Sequence, residues 1–444
     1  KADEIKQAFL DWVWTDDERR DMLTRLYNEK FNTNVPPTYD GSHLELVGAS
    51  EAVKLRPHQK NAVWRAIQEG TCLFDHVVGA GKTLACVATV MESKRMGFLS
   101  KPMIVVPNHL LYQWKDEFYK LYPDANILVA DKTDFTKQNR ERLFGRIATG
   151  DWDAVIVAHS SFKKIDMPRD VQEEILREQI DAVIEAIEAS KAAEGGRATI
   201  KQLEKQREKM EERYNALLAG TGQKDRAVDF ADLGVDALFI DESHEFKNLA
   251  FQTTMNVSGL GNVTGSAKAL DLFIKCRYLQ RQNNGRGVYF MTGTPISNTI
   301  AEVYTLQRYM QYDELKNKDI EHFDAWASTF GQVTSGWELD ATGVNYKLKS
   351  RFAKFQNVPE LLSMYRSFAD VVTKNDLDEQ AKQAGERPLT PPIEGGKPFN
   401  DVVERSPAQA AYMDKIIQRM ENLPKDPRID NPLKVTNDAR KAGL

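Results

Sequence analysis

A chain of 444 residues with 41% apolar and 28% charged side chains has room for about two to four domains and the composition of a soluble protein. Its formal net charge of −5 excludes a global polycation, though not a local basic cleft. Cys72, Cys86 and Cys276 stand in apolar or helical stretches and read as buried thiols of a reducing, cytoplasmic setting; no run reaches transmembrane length, and the opening KADEIKQAFLDWVWTDDERR lacks a secretion-signal core.

Residues 1–54 read as an N-terminal helical appendage. Ile5, Phe9 and Trp12, then Met22, Leu23, Leu26 and Tyr27, recur at helical spacing until Pro36-Pro37 and Gly41-Ser42 break the pattern. Trp12 and Trp14 are expected to pack, the alternative being a ligand-stacking platform. Leu55-Arg56-Pro57-His58-Gln59 then opens a helix through Glu69 with Ala62, Val63, Ala66 and Ile67 on its apolar face. Gln59 can offer a bidentate amide to the N6 and N7 edge of adenine, the plainer alternative being a helix-capping glutamine.

The apolar run Gly70 to Phe74 predicts a strand, Asp75-His76-Val77-Val78-Gly79-Ala80-Gly81-Lys82-Thr83 a glycine loop, and Leu84, Val87, Ala88 and Met91 a following helix. Gly79 and Gly81 let the backbone turn its N–H groups toward a phosphate at a helix start. Lys82 would reach the outer phosphates of a bound nucleotide, ATP or GTP, and the Thr83 hydroxyl a bridging Mg2+. The strict motif wants glycine where His76 stands, so an ordinary glycine-rich turn is the competing reading.

Met103 to Val106, Ile127 to Val129 and Ala154 to Ala158 are further short apolar runs separated by amphipathic stretches, which predicts a parallel sheet covered on both faces by helices. From about 168 to 220 Glu, Arg, Gln, Lys and Ala dominate. Apolar positions at Ile175, Ile180, Val183, Ile184 and Ile187, then Ile200, Leu203, Met210, Tyr214 and Leu217, flank Gly195-Gly196 and predict an inserted helical hairpin, either a solvated spacer or an arm for DNA or a partner.

The sheet resumes at Asp236 to Ile240 and ends in Asp241-Glu242-Ser243-His244. Strand alternation gives the two carboxylates different roles: Asp241 for magnesium, Glu242 for orienting water and taking its proton. Gly287 to Met291 ends in Thr292-Gly293-Thr294-Pro295, whose hydroxyls fall at the carboxyl end of a sheet strand, where they could sense a terminal phosphate through the strand carrying Asp241 and Glu242.

Together, LRPHQ at 55–59, VGAGKT at 78–83, VVPNHLLYQWKDEF at 105–118, VIVAHSSF at 155–162, DESHEFKN at 241–248 and TGTPISNT at 292–299 resemble the superfamily 2 helicases and translocases of Swi/Snf type, and within these the helicase part of large phage and mobile-element proteins that also carry a DNA methyltransferase. The resemblance covers residues 55–310 and implies a RecA-like P-loop NTPase lobe using ATP and Mg2+ on double-stranded DNA, with Gln59, Gly79, Gly81, Lys82 and Thr83 on the nucleotide and Asp241 and Glu242 on metal and water. It further implies that His244, Thr292, Gly293 and Thr294 couple hydrolysis to nucleic acid, and that Pro107, His109, Trp114, His159 and Ser160 lie in segments along the DNA path; Lys163 and Lys164 are added as phosphate contacts. Ser243 stands where alanine is commoner.

Residues 311–444 are expected to be a mainly helical extension toward a second RecA-like lobe, with Arg351 to Asp376 mostly helical and the spaced aromatics Phe323, Trp326, Phe330, Trp337, Phe352, Phe355, Tyr365 and Phe368 forming a core rather than a base-stacking surface. No second set of strands or arginine-bearing motif can be located before Leu444, so the second lobe is expected elsewhere in a longer protein. The function expected is a DNA-dependent ATPase that translocates on duplex DNA. The alternatives are a P-loop phosphotransferase for a small substrate and a non-enzymatic docking module of a restriction, anti-restriction or methylation system.

Overall fold

A computed structural model describes residues 2–31, 37–192, 200–201, 204–205, 207–208, 210–212, 214–215, 228–255, 257–261, 263–339, 346–386, 404, 406–424, 426 and 428–442. The chain forms two compact units, Lys1–Gln332 with Ala353–Leu377, and Val333–Phe352 with Asp378–Leu444.

The first unit is built on seven strands: β1 (Thr71–His76), β2 (Pro102–Val106), β3 (Ile127–Ala130), β4 (Ala154–Ala158), β5 (Ala237–Asp241), β6 (Val288–Thr292) and, past the hairpin strands described below, β9 (Ala369–Val372). Their order is β3-β4-β2-β5-β6-β1-β9, with all six pairings parallel. A parallel sheet hides both faces, so its strands are unbroken apolar runs; β2, β4, β5 and β6 are buried at every position. On one face Cys72, Phe74, Ile104, Val106, Ile156 and Phe239 join a core with Ala62, Val63 and Ala66 of the helix Pro57–Glu69 and with Cys86, Val87 and Val90 of the helix Lys82–Arg95. Phe239 and Tyr289 stack at 4.2 Å across β5 and β6. On the other face Phe290 meets Tyr309, which packs edge-on against Phe273.

The fold class is as expected, but the sheet reaches beyond residue 310. The stretch expected to be mostly helical from Arg351 to Asp376 instead starts as the end of a strand, forms the helix Val358–Phe368 and becomes β9. Ala369 to Val372 pair one to one with Leu73 to His76 because β1 would otherwise leave an open edge beside the glycine loop. Trp12 and Trp14, expected to pack, are instead 51% and 64% exposed, with the Arg19 guanidinium 3.6 Å over the Trp12 ring. Residues 37–56, by contrast, reach into the main core through Leu44 and Leu55.

One arm of the predicted hairpin is the helix Arg169–Ala192. Val183 and Ile187 pack against Met210, and the Arg177 guanidinium donates to the Tyr214 hydroxyl at 2.7 Å, so a second arm runs alongside. Leu203, Leu217 and Gly195-Gly196 lie outside the described residues. The arm is fastened to the lobe where Arg308 donates to Gln179 Oε1 and Arg281 pairs with Glu174 and Glu178. Most aromatics singled out after residue 311 are core: Phe323, Trp326 and Phe330 cluster with Tyr304, and buried Trp326 donates its indole N–H to Gln307.

In the second unit, β7 (Gly331–Leu339) and β8 (Tyr346–Phe355) form a two-stranded ribbon spanning most of Val333–Phe352. The helices Pro407–Glu421 and Pro432–Ala442 pair through Arg419, which bridges Asp430 and Asp438. Ser406 caps the first by accepting from Gln409 N. Pro388, Pro391, Pro392 and Gly395-Gly396 lie outside the described residues. Among the described residues no helix is long and apolar enough to cross a membrane.

Candidate nucleotide site

After β1 the chain turns through Val77 to Gly81 into the helix Lys82–Arg95. Gly79 (φ 88°) and Gly81 (φ 81°) take left-handed backbone that a side chain would strain, and at Gly81 a Cβ would also stand 2.4 Å from Gln59 Nε2. Gln59 is buried and both ends of its amide are occupied: Nε2 donates to Gly81 O at 2.9 Å and Oε1 accepts from Arg56 N at 2.8 Å. His58 Nε2 meets Ala80 O at 2.9 Å. With these carbonyls turned toward the preceding helix, the N–H groups of Gly81 and Lys82, antiparallel to them across planar trans peptides, face the other way. That is an anion-binding arrangement at a helix start.

His76, the departure from the loop motif, is a buried anchor. Its Nε2 lies 2.7 Å from Asp370 Oδ2 on β9, and Arg65 NH1 approaches the same carboxylate at 3.7 Å. A glycine there would leave Asp370 facing an empty core position. The loop root is tied again where Val77 N donates to Val372 O at 3.0 Å. Lys82 is half-buried and its Nζ donates to the His76 carbonyl at 2.9 Å. Burial lowers its pKa, against the pull of Glu242, Asp241 and Asp75.

Asp241 and Glu242 stand at the carboxyl end of β5, two strands from β1, with β6 between. Asp241 is buried; Trp114 Nε1 donates to Oδ2 at 2.9 Å and Glu242 N to Oδ1 at 3.0 Å. Burial raises its carboxyl pKa, and the Trp114 hydrogen bond opposes that shift. Glu242 adopts φ 48°, ψ 50°, a costly left-handed turn for a residue with a Cβ, and its carboxylate meets His244 Nδ1 at 3.1 Å.

His244 Nδ1 also lies 3.1 Å from Thr292 Oγ1, which accepts from Thr294 N. Gly293 closes the circle: a Cβ there would stand 3.4 Å from Lys82 Nζ and 3.2 Å from His76 O. A second bridge, missed in the sequence, joins the β5 and β6 ends. Buried Glu302 accepts from Ser297 N at 2.6 Å and pairs with Lys247 at 3.0 Å, and Lys247 also donates to the Ser297 hydroxyl. Lys247 lies within the DESHEFKN run, but nothing local marks Glu302 as its partner.

Lys82, Thr83, Asp241, Glu242, His244 and Thr292 to Thr294 therefore converge on the carboxyl ends of β1, β6 and β5 or the loops leaving them. The residues assigned to a DNA path divide. Trp114 and His159 face inward, the first onto the Asp241 carboxylate and the second, with a pKa lowered by burial, onto the Asp241 carbonyl at 2.9 Å. Pro107 and exposed His109 follow β2; Ser160 N donates to Asn108 Oδ1 at 3.1 Å, and Lys163 and Lys164 are exposed after β4. Among the described residues no group of three or more His, Cys, Asp or Glu is placed to hold a metal ion.

A parallel sheet with a glycine-lysine-threonine loop on one strand and an Asp-Glu pair two strands away, an intervening strand between them, defines a P-loop NTPase lobe of RecA-like type. Residues 64–373 match the family described as a probable helicase domain; this is more than half of the chain, and the chain belongs to that family. Residues 1–33 match a separate domain of unknown function. The chain is 24% identical over 417 residues to the Defense against restriction protein B of Escherichia phage P1, covering 84% of this chain and 18% of that protein. It spans, then, under a fifth of that relative's length. Solved structures similar to it include the Sulfolobus solfataricus SWI2/SNF2 ATPase core with double-stranded DNA, at 15% identity and TM-score 0.38 over 90% of this chain and 60% of that one. A second structure, of the Sulfolobus solfataricus SWI2/SNF2 ATPase core domain, gives 14% identity and TM-score 0.38 over 91% of this chain and 61% of that one.

Proposed function

We propose that this chain is the ATP-binding lobe of a DNA-dependent ATPase that moves on duplex DNA. The observation that carries the reading is the convergence of Lys82, the Asp241-Glu242 pair and the His244–Thr292 contact at the carboxyl ends of three neighbouring strands. Lys82 gives up the His76 carbonyl for the outer phosphates of ATP, which the loop amides cradle. Gln59 reads adenine only after its Gly81 or Arg56 contact is exchanged for the base.

The donor set fits Mg2+: Thr83 stands in the first turn of the helix, and the carboxylate of Asp241 is poorly hydrated where it lies, so that a cation shared with phosphate oxygens would offset its burial. Bound there, the ion would neutralise charge developing on those oxygens. Glu242 orients the attacking water and takes its proton; its present partner, His244, also touches Thr292, which links the water-activating group to the β6 end. Loss of Glu242 from His244 is thus communicated to the Thr292–Thr294 turn. Pro107, His109, Ser160, Lys163 and Lys164 are the groups of this lobe assigned to DNA, Trp114 and His159 supporting them from beneath through Asp241. A second RecA-like lobe supplies the opposing wall and an arginine.

Calorimetry of ATP binding to this chain, with Lys82→Ala as control, tests the pocket. Phosphate release from a longer polypeptide that includes a second lobe, with and without duplex DNA, tests the rest. Turnover indifferent to duplex and to both Lys82→Ala and Glu242→Gln would overturn the reading. The name of the phage P1 relative favours a setting in defence against restriction; the motif resemblance adds a DNA methyltransferase in the same larger protein as a proposed partner.

A further inference from the structure

The helix Leu111–Leu121 follows β2, and its Trp114 is 2% exposed, in the core that also holds Leu111, Phe118 and Phe239. An indole has one polar atom, a donor that needs an acceptor once it is buried. Here that atom, Nε1, donates to Asp241 Oδ2 at 2.9 Å. Asp241 is itself buried, and its other oxygen, Oδ1, accepts from Glu242 N at 3.0 Å. The two donors fall on different oxygens, so together they fix the plane of the carboxylate and leave a defined set of lone pairs for a cation. His159 Nε2 meets the carbonyl of the same residue at 2.9 Å and holds its backbone. Only the Trp114 bond reaches the carboxylate from a distant part of the chain.

We infer that Trp114 is a positioning residue for the metal carboxylate: its indole N–H sets the orientation in which Asp241 meets the cation of a bound nucleotide. The inference rests on the ATP and Mg2+ reading above and deepens it by naming what aims the ligand. Packing alone does not call for this residue, since Phe or Leu would fill a helix–sheet core with no polar atom to satisfy. What indole adds over an apolar ring is the N–H, and its acceptor is the one carboxylate that the nucleotide site needs aimed. Carboxylates that hold metals are usually held by hydrogen bonds in turn, and loss of such a partner costs about 10–100-fold in metal affinity. The resemblance sets Trp114 along the DNA path, whereas the ring is closed to solvent and turned to Asp241.

Fluorescence of a mant-labelled ATP titrated with the full chain, once in excess Mg2+ and once in EDTA, tests this; the ratio of the two affinities reads the share of the metal. Trp114→Phe should cut that ratio by about tenfold or more and leave the EDTA affinity within about twofold of wild type. Benzothienylalanine at position 114 keeps the bicyclic shape with sulfur in place of the N–H. It should do the same without disturbing packing, so the test survives a Phe variant that folds poorly. Phe118→Leu loosens the same helix in the same core and should lower the thermal midpoint with the ratio unchanged. A wild-type ratio in both variants that lack the N–H overturns the inference and leaves the ATP reading standing. A fall in both affinities alike, shared with Phe118→Leu, makes the role one of packing and also overturns it. Wild-type binding that is equal in Mg2+ and EDTA removes the cation from Asp241 and the inference with it. No binding in either condition removes the ATP reading itself, and this inference with it.

Discussion

Asp370→Ala removes the partner of a side chain that water does not reach. His76 has no exposure, Arg65 only 7% and Asp370 18%, with His76 Nε2 2.7 Å and Arg65 NH1 3.7 Å from the Asp370 carboxylate. Breaking a buried ionic contact by deleting one partner costs about 3–5 kcal/mol, and leaving a buried neutral group unpaired about 1–3. Asp370 keeps some solvent and Arg65 retains the Arg366 carbonyl, so a value near the overlap, about 3 kcal/mol, is expected. The loss is local, because β9 is an edge strand whose Val372 carbonyl receives Val77 N at the root of the loop. Hydrogen exchange followed by mass spectrometry should show the amides of residues 71–77 exchanging about 100-fold faster, while β4 and β5 keep their protection. Asp370→Asn, which preserves an acceptor, should recover most of it. Protection of 71–77 within about threefold of wild type in Asp370→Ala would refute the view that the His76 pair pins the loop.

Lys82→Ala should abolish ATP binding in calorimetry. Glu242→Gln should keep binding but slow phosphate release by about 10²–10⁴-fold, the usual weight of a general base. Burial raises the Asp241 pKa above its unfolded value, so its contribution to stability is complete below the unfolded pKa and is lost as pH rises through the folded one. In urea unfolding at a series of pH values, wild type should accordingly lose ground to Asp241→Asn as the pH climbs out of the carboxylate range; a pH-independent difference would contradict the assignment. Glu302→Ala leaves Ser297 N without its acceptor and removes the ion-pair partner of Lys247, which keeps the Ser297 hydroxyl, a cost of about 1–3 kcal/mol, visible as a lower thermal midpoint and faster proteolysis between residues 292 and 299.

The family, the strand–loop–helix around Lys82, the buried strands and the Asp241-Glu242 pair were legible in the chain itself, because each is a contiguous run whose period, glycines or charges declare its local geometry. Loop departures could be seen there but not explained. His76 looks like a flaw in VGAGKT until β9 brings Asp370 to it across 294 residues of chain. Tyr365 likewise reaches Asp75 across 290 residues, and Trp114, grouped by resemblance with the DNA path, donates to Asp241 across 127. Residues 369–372 carried no strand signal strong enough to stand alone, since four residues become a strand only when a neighbouring edge supplies their hydrogen bonds. Aromatic count could not separate buried Trp326 from exposed Trp337, because exposure belongs to packing and not to residue type. Sequence thus determined which chemistry is present and on which elements; the tertiary structure decided which side chains hold that chemistry in place, because such contacts depend on through-space neighbours that chain order does not record.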